Sequence, residues 1–232
     1  MFPGSWAFRH IYFSTMVPFL YNDKDLIAAD KPEGIAVIPE RSGPQGISLV
    51  EILSKQHSTQ LFVVHRLDKE VSGVILFAKN AFTHRNLCLQ FEHREVQKTY
   101  TALVHGIVKA DVGTIDTPIR QFGSGRMGVD RENGKESSTG YKVIDRYTTY
   151  TLLSVTPHTG RRHQIRVHLY SIGHPIAGDR RYGDRKMQEE YPRLMLHASS
   201  IEFKLQDGES LAIESPLPES FTAILDKIKN RI

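Results

Sequence analysis

Apolar and polar residues follow two spacings along the chain, one typical of strands and one typical of helices. Lys98–Val104 alternates residue by residue, as a half-buried strand does. In Arg162–Ile172 the apolar residues recur at helical spacing, and Gly173 and Pro175 end the predicted helix. The same reasoning predicts two strands in each of Leu26–Pro39 and Val63–Ala78, single strands in Tyr141–Tyr147, Thr151–Thr156, Leu194–Leu205 and Leu211–Glu214, and helices in Ile47–Gln56, Ala81–Arg94 and Glu219–Lys229.

Strands dominate this prediction, and a few helices are interspersed among them. The order indicates an α+β fold with a mixed, mainly antiparallel central sheet and flanking helices. Between Gly123 and Gly140, five glycines with three basic and three acidic residues predict a mobile, ligand-contacting loop outside the core. We expect one domain over residues 18–232, preceded by a leader of residues 1–17 that is disordered or not translated.

Composition is that of a soluble, core-forming protein. Of the 232 residues, 40% are hydrophobic and 24% are charged, so a core can form without covalent cross-links. The single cysteine, Cys88, excludes an intrachain disulfide and fits a reducing compartment. No apolar run approaches the roughly 20 residues of a membrane span. We therefore expect a cytoplasmic monomer without membrane contact and without an obligate protein partner.

Positive charge is concentrated in residues 157–187. This segment has seven basic and two acidic residues, whereas the net charge of the whole chain is only +4. A solvated basic surface would explain the segment. Four histidines in the same stretch, and its position near the candidate site described next, favour a polyanionic ligand such as RNA.

The most informative stretch is His65-Arg66-Leu67-Asp68, followed by Ser72-Gly73 and an apolar run. A guanidinium and a carboxylate stand two residues apart where a strand enters a turn, so both can project into one cleft. Arg166 flanks the buried stripe of its predicted helix, where an unpaired charge would cost several kcal/mol. We therefore expect a bidentate Arg166–Asp68 pair that keeps the aspartate ionised and fixes its direction.

Five motifs, in this order, resemble the RluA-type RNA pseudouridine synthases. They are HRLDKEVSG, QKTYTALVHG, TGRRHQIRVHL, GHPIAGDRRYG and RLMLHAS, and the resemblance spans residues 30–199. It implies the pseudouridine synthase fold with a catalytic cleft. It also implies a cofactor-free isomerase that breaks the C1′–N1 bond of uridine, turns the uracil and forms a C1′–C5 bond.

The resemblance also implies which residues are catalytic. Asp68 corresponds to the catalytic aspartate, Tyr100 to the active-site tyrosine and Arg166 to the salt-bridge partner of the aspartate. Asp68 suits either attack on C1′ or removal of a proton from C2′, and the residues do not choose between them. The Tyr100 hydroxyl, or a water near it, is a candidate base for the C5 proton.

Substrate binding is implied for four further residues. Arg66 resembles the arginine that helps to hold the target nucleotide out of the helix, and Leu196 resembles the apolar residue that packs against the uracil. Arg161 and Arg162 are candidates for contacts to RNA phosphates. Val71 departs from the family, which usually has threonine or serine there, so a turn hydroxyl is lost.

Several alternatives stand beside this interpretation. With only about 20 residues before the first element, we expect a short form without an S4 RNA-binding module, closest to members that act on both rRNA and a tRNA anticodon stem-loop. A non-catalytic RNA-binding protein and a glycosidase using Asp68 and Glu70 are the rivals. A Ser72–His65–Asp68 triad lacks the GxSxG elbow, and no HExxH spacing indicates a metal site.

Overall fold

The computed structural model describes residues 16–39 and 47–230, so most of the predicted leader, residues 1–17, lies outside the described residues. The helices are α1 (Leu49–His57), α2 (Ala81–Glu92), α3 (Gln164–Ser171), α4 (Arg185–Gln188) and α5 (Glu219–Lys229). The strands are β1 (Phe19–Asn22), β2 (Leu26–Lys31), β3 (Phe62–Val63), β4 (Ser72–Ala78), β5 (Gln97–His105), β6 (Val112–Asp116), β7 (Ile119–Gln121), β8 (Met127–Val129), β9 (Ser138–Arg146), β10 (Tyr150–Pro157), β11 (Leu196–Lys204) and β12 (Ser210–Glu214). None of these helices is long and apolar enough to cross a membrane.

One large sheet organises the described residues. Its strand order is β1-β2-β4-β11-β5-β10-β9-β6, with β3 also paired to β4 and β12 to β11. Strands β4 and β11 run parallel, whereas the other pairings in this sheet are antiparallel. The predicted α+β fold with a mixed, mainly antiparallel sheet is confirmed.

The core lies on the central strands. Every residue of β4 is buried, and Leu26–Ala29 of β2 are buried beside it. Helix α1 adds Leu49 and Leu53, and helix α5 adds Phe221 and Leu225. These buried side chains belong to one hydrophobic cluster, so the loop that enters β4 stands on a rigid support.

Gly73, the second residue of β4, is required by a close approach of backbone. Its φ is +115°, and a Cβ at this position would lie 2.2 Å from the carbonyl oxygen of Ala198 in β11. Ser72 and Gly73 pair with His197 and Ala198. The parallel contact between β4 and β11 therefore begins where the Asp68 loop ends, and only glycine fits there.

The hairpin predicted within Leu26–Pro39 is wrong. Only β2 forms in this range, and its hairpin partner is the preceding strand β1. Beyond β2, Ala36 and Val37 accept the backbone N–H groups of Leu49 and Val50 at the start of α1, at 2.8 and 3.1 Å. The apolar residues after Gly34 are buried by this contact and not by strand pairing.

The prediction that Gly123–Gly140 contains no packed element is also wrong. Met127–Val129 pairs as β8 with β7 to form a separate hairpin. Met127 is buried with Ile119, Val167 and Tyr182 in a small apolar cluster. The glycines allow the tight turn of the hairpin, while the buried methionine places the hairpin against α3.

Candidate active site

Asp68 lies in the loop between β3 and β4. Its backbone carbonyl accepts the N–H of Val71 at 3.1 Å, which closes a turn, and its side chain is 24% exposed. Lys31 of β2 is fully buried beneath this turn and donates to the carbonyls of Lys69 at 3.1 Å and Val71 at 2.6 Å. Burial lowers the pKa of Lys31 to about 7. The loop backbone is thus fixed from below while the carboxylate reaches solvent.

Arg166 of α3 joins this carboxylate to two others. Its Nη1 lies 3.2 Å from Asp68 Oδ2 and 3.4 Å from Glu70 Oε2. Its Nε and Nη2 donate to Asp179 Oδ2 and Oδ1 at 2.8 and 2.9 Å. The expected bidentate Arg166–Asp68 pair is therefore wrong in geometry, because Asp179 accepts the bidentate contact and Asp68 receives the remaining nitrogen.

The charge balance around Arg166 is strongly negative. The side chain is only 3% exposed, and burial alone would lower its pKa. The hydrogen bonds and charge of Asp179, together with the charges of Asp68 and Glu70, outweigh burial and raise the pKa of Arg166 above its usual value. Arg166 remains a cation, and one of its nitrogens is directed at Asp68.

His163 and Tyr182 lie beside the same carboxylate. His163 Nε2 is 3.8 Å from Asp68 Oδ2, and His163 Nδ1 is 2.7 Å from the hydroxyl of Tyr182. His163 adopts a left-handed backbone, with φ of 55°, directly before α3, and such strain clusters at functional sites. Burial and the nearby arginine charges lower the pKa of His163 to about 4, so the ring is neutral at pH 7.

Asp179, Tyr182 and His163 were not assigned to the site from the sequence. Asp179 and Tyr182 belong to the GHPIAGDRRYG motif, which was used only as part of the family resemblance. His163 is one of the four histidines of the basic segment and had no role of its own. One feature of the sequence could have indicated these residues. The motifs TGRRHQIRVHL and GHPIAGDRRYG each contain polar residues to which no role was assigned.

Tyr100 and Leu196 share one face of the sheet. Tyr100 of β5 pairs with Ala198 of β11, and Ala102 pairs with Leu196. Directly opposed residues of antiparallel strands project to the same side. Burial, and then the charge of Asp68, raise the pKa of Tyr100 well above its usual value. The phenol is therefore protonated at neutral pH, which suits stacking or hydrogen-bond donation and disfavours its use as the base for the C5 proton.

The candidate substrate-binding arginines surround the start of α3 and the Asp68 loop. Arg66 and Arg162 are exposed, and Arg161 is half-buried, with its Nε donating to the Glu136 carbonyl at 3.2 Å. Arg181 is exposed and donates to the carbonyl of Gly125, in the turn between β7 and β8, at 3.0 Å. Most of the basic side chains in residues 157–187 are therefore exposed, and Arg166 is the buried exception among them.

Two alternatives find no geometric support. Ser72 is buried, with its hydroxyl 2.8 Å from His197 Nδ1, and His65 Nε2 accepts the N–H of Leu76 at 3.0 Å. These contacts exclude a Ser72–His65–Asp68 triad. Across residues 16–39 and 47–230, no three His, Cys, Asp or Glu side chains are grouped so that they could hold a metal ion.

Known proteins match the chain across these elements. The family profile described as RNA pseudouridylate synthase matches residues 25–171, which include the Asp68 loop and α3. A protein of Aquifex aeolicus, named as an uncharacterized RNA pseudouridine synthase, is 40% identical over 228 residues, covering 90% of this chain and 72% of its own. The chain belongs to the RNA pseudouridylate synthase family. It is an RNA pseudouridine synthase, so the predicted family and isomerase activity are confirmed.

Other synthases show similar agreement in sequence and fold. Ribosomal large subunit pseudouridine synthase C of Escherichia coli is 39% identical over 227 residues, covering 91% of this chain and 70% of its own. The structure of human RNA pseudouridylate synthase domain containing 1 has a TM-score of 0.76 at 25% identity, covering 92% of this chain and 94% of its own. The structure of human RNA pseudouridylate synthase domain containing 4 has a TM-score of 0.75 at 27% identity, covering 91% of this chain and 92% of its own. The pseudouridine synthase fold is thereby confirmed.

Proposed function

We propose that this synthase forms pseudouridine in the RNA of the large ribosomal subunit, with Asp68 as the catalytic carboxylate. The observation that carries the proposal is the 3.2 Å contact between Asp68 Oδ2 and the buried guanidinium of Arg166. A carboxylate that attacks a sugar carbon or accepts its proton must be ionised, and an adjacent fixed cation favours the ionised form. Membership of the RNA pseudouridylate synthase family supports RNA as the substrate on which this carboxylate would act.

The reaction conserves atoms and electrons. The C1′–N1 bond breaks, a C1′–C5 bond forms, C5 loses a proton and N1 gains one. Asp68 acts either as the nucleophile at C1′ or as the base at C2′, and both routes use the same oxygen atoms. Because the substrate is neither oxidised nor reduced, the proposal requires no cofactor.

Access to the uridine requires that the nucleotide leave the RNA helix. Flipping a base costs about a few kcal/mol, which stacking on aromatic or guanidinium groups offsets. In this proposal Arg66 fills the position that the nucleotide vacates in the RNA helix. Tyr100 and Leu196 pack against the flipped uracil. Arg161 and Arg162 are assigned to the flanking phosphates, because they adjoin His163 in sequence and carry positive charge.

The choice of RNA rests on relatives. The Escherichia coli relative is named for the large ribosomal subunit, which favours rRNA as the substrate. A tRNA anticodon stem-loop is the second candidate, as the dual-specificity members suggest. We propose that residues 18–232 act as one catalytic domain, as a monomer and without a protein partner. Mapping pseudouridines in rRNA and tRNA from cells with and without the gene identifies the substrate.

Asp68→Asn tests the catalytic assignment. Total rRNA from the deletion strain, labelled with tritium at C5 of uridine, is incubated with each protein, and tritium release is measured. We expect release by the wild type, none by Asp68→Asn, and comparable RNA binding by both. Asp111→Asn, at a carboxylate in an exposed ion pair with Arg146, is the matched control and should release tritium normally. Release by Asp68→Asn would refute the assignment, and absence of release by the wild type would favour a non-catalytic RNA-binding protein.

A further inference from the structure

We propose that the turn Asp179–Tyr182 is a positioning element for the catalytic carboxylate. It directs Arg166 and His163 at the same oxygen, Oδ2 of Asp68, and leaves Oδ1 for the substrate. The inference rests on the proposed function, since it assumes that Asp68 performs the chemistry. Neither Asp179 nor Tyr182 needs to touch the RNA for this role.

Asp179 fixes the orientation of Arg166. Its side chain is completely buried and accepts Nε and Nη2 of Arg166 at 2.8 and 2.9 Å. Asp179 Oδ1 also accepts the backbone N–H groups of Arg181 and Tyr182 at 3.0 and 3.1 Å, which anchors the carboxylate to its own turn. A planar guanidinium held at two nitrogens cannot rotate about its long axis. Nη1 is therefore the nitrogen that is presented to Asp68.

Tyr182 fixes the tautomer of His163. The Tyr182 oxygen accepts the backbone N–H of Met127 at 3.3 Å, and its single proton is available to His163 Nδ1 at 2.7 Å. A neutral imidazole that accepts at Nδ1 has its proton on Nε2. Nε2 is the nitrogen that lies 3.8 Å from Asp68 Oδ2, so the tyrosine aims an N–H donor at the carboxylate.

The two donors converge on one oxygen. Within the described part of the chain, Arg166 and His163 both approach Asp68 at Oδ2, at 3.2 and 3.8 Å. The longer distance exceeds a hydrogen bond, and catalytic contacts of this kind commonly shorten when the substrate binds. The ring of Tyr182 also packs 5.2 Å from the Arg166 guanidinium carbon, so one turn supports both donors.

The pH dependence of kcat tests whether Arg166 and His163 stabilise the charged form of Asp68. The ionisable groups that face Asp68 are Arg166 and His163 beside α3, Tyr100 of β5, Lys31 of β2 and Glu70 of its own loop. Among them, only Arg166 and His163 are held by the Asp179–Tyr182 turn. Loss of either aimed donor weakens support for the charged carboxylate, so the acid limb of the kcat profile should move to higher pH.

Tyr182→Phe and Asp179→Asn are the test variants, with Tyr147→Phe as the control for loss of a buried tyrosine hydroxyl. Tritium release from labelled rRNA is measured between pH 5 and 9. We expect kcat to fall about tenfold in Tyr182→Phe and by about a hundredfold in Asp179→Asn, with KM within about twofold of the wild type. Tyr182→Phe should show the shifted acid limb, and Tyr147→Phe should not. Asp179→Asn also removes a negative charge close to Asp68, which opposes that shift, so this variant is judged by kcat and KM alone.

A second comparison keeps the test decisive if Asp179→Asn folds poorly. In His163→Gln the side-chain amide nitrogen can take the place of Nε2 without help from Tyr182. Adding Tyr182→Phe to His163→Gln should therefore change kcat by less than about twofold, whereas a purely structural role predicts additive losses. A wild type without tritium release would overturn the proposed function. Wild-type release together with additive losses, or with test variants equal to the control, would overturn this inference alone.

Discussion

Two buried arginines, Arg166 and Arg193, flank the Asp68 loop, and they differ in what neutralises them. Arg166 is 3% exposed and meets three carboxylates. Arg193 is 6% exposed and meets one carboxylate, that of Glu33 at 3.0 Å. It also donates hydrogen bonds to the hydroxyl groups of Ser72 and Ser220 and to the carbonyl of Leu194. Burial lowers the pKa of Arg193, whereas the carboxylates raise that of Arg166.

The difference separates support of the fold from support of the chemistry. Arg193 links β4, β11 and α5 through neutral acceptors, because Ser72 of β4 also contacts His197 of β11 and Ser220 lies in the first turn of α5. Arg166 has more negative partners than it can neutralise, and two of them, Asp68 and Glu70, remain partly exposed, at 24% and 54%. Variants on the two sides should therefore change different observables.

Arg166→Lys should have the largest effect, and that effect should be on turnover. An ammonium group cannot bind Asp179 through two parallel hydrogen bonds and still reach Asp68. We expect the fold to persist and single-turnover tritium release to fall by about a hundredfold or more. Circular dichroism and rapid-quench assays with excess enzyme measure the two properties. Near-normal single-turnover rates would show that the pairing is not needed.

Arg193→Met should have the next largest effect, on stability. The change leaves the buried Ser72 hydroxyl without its guanidinium partner, which costs about 1–3 kcal/mol of unfolding free energy. Turnover per folded molecule should remain within about threefold of the wild type. Urea unfolding measures the change in unfolding free energy. The control is Arg185→Met, at an exposed ion pair with Glu189, which should lower the unfolding free energy by less than about 0.5 kcal/mol. A reversed pattern, with turnover lost and stability kept, would remove the distinction between the two arginines.

His65→Gln should have the smallest effect, confined to acid pH. Burial lowers the pKa of His65 to about 3, whereas the unfolded chain binds this proton near pH 6.5. The unfolded state therefore binds more protons between those values, and stability falls as pH drops from 6.5 towards 3. Glutamine can accept the Leu76 N–H without titrating, so the decline should be shallower. Urea unfolding of both proteins between pH 7 and 4 tests this, and an unchanged slope in His65→Gln would contradict it.

The sequence predicted those features that depend on local pattern or on contiguous motifs. Helix Glu219–Lys229 has the predicted limits, because its amphipathic spacing is regular. Arg166 was expected to pair with Asp68, and the two side chains are in contact, but Asp179 takes the bidentate position. Asp179 was missed because it stands next to arginines in a polar run that reads as solvent-exposed. Its burial depends on the turn that packs under α3, which no local pattern reveals.

The incorrect prediction of a hairpin within Leu26–Pro39 also arose because local sequence does not identify the packing partner. Ile35 and Val37 are buried, as residues of a strand would be, but they are covered by α1 and neighbouring segments. Alternating apolar residues indicate burial on one side, and they do not identify the partner that covers them. Strand β1 supplies the pairing that was assigned to the later residues.

The backbone N–H of Met127 donates to the Tyr182 hydroxyl, so hydrogen bonds connect the peripheral β7–β8 hairpin to His163, whose Nε2 lies 3.8 Å from the Asp68 carboxylate. A ligand that displaces the hairpin would release the tyrosine proton from its fixed direction and free the imidazole to change tautomer. Under the proposed positioning role, grafting this hairpin from a relative with a different turn would consequently alter turnover. A peripheral hairpin is thus coupled to the imidazole beside Asp68 through the main-chain amide of Met127.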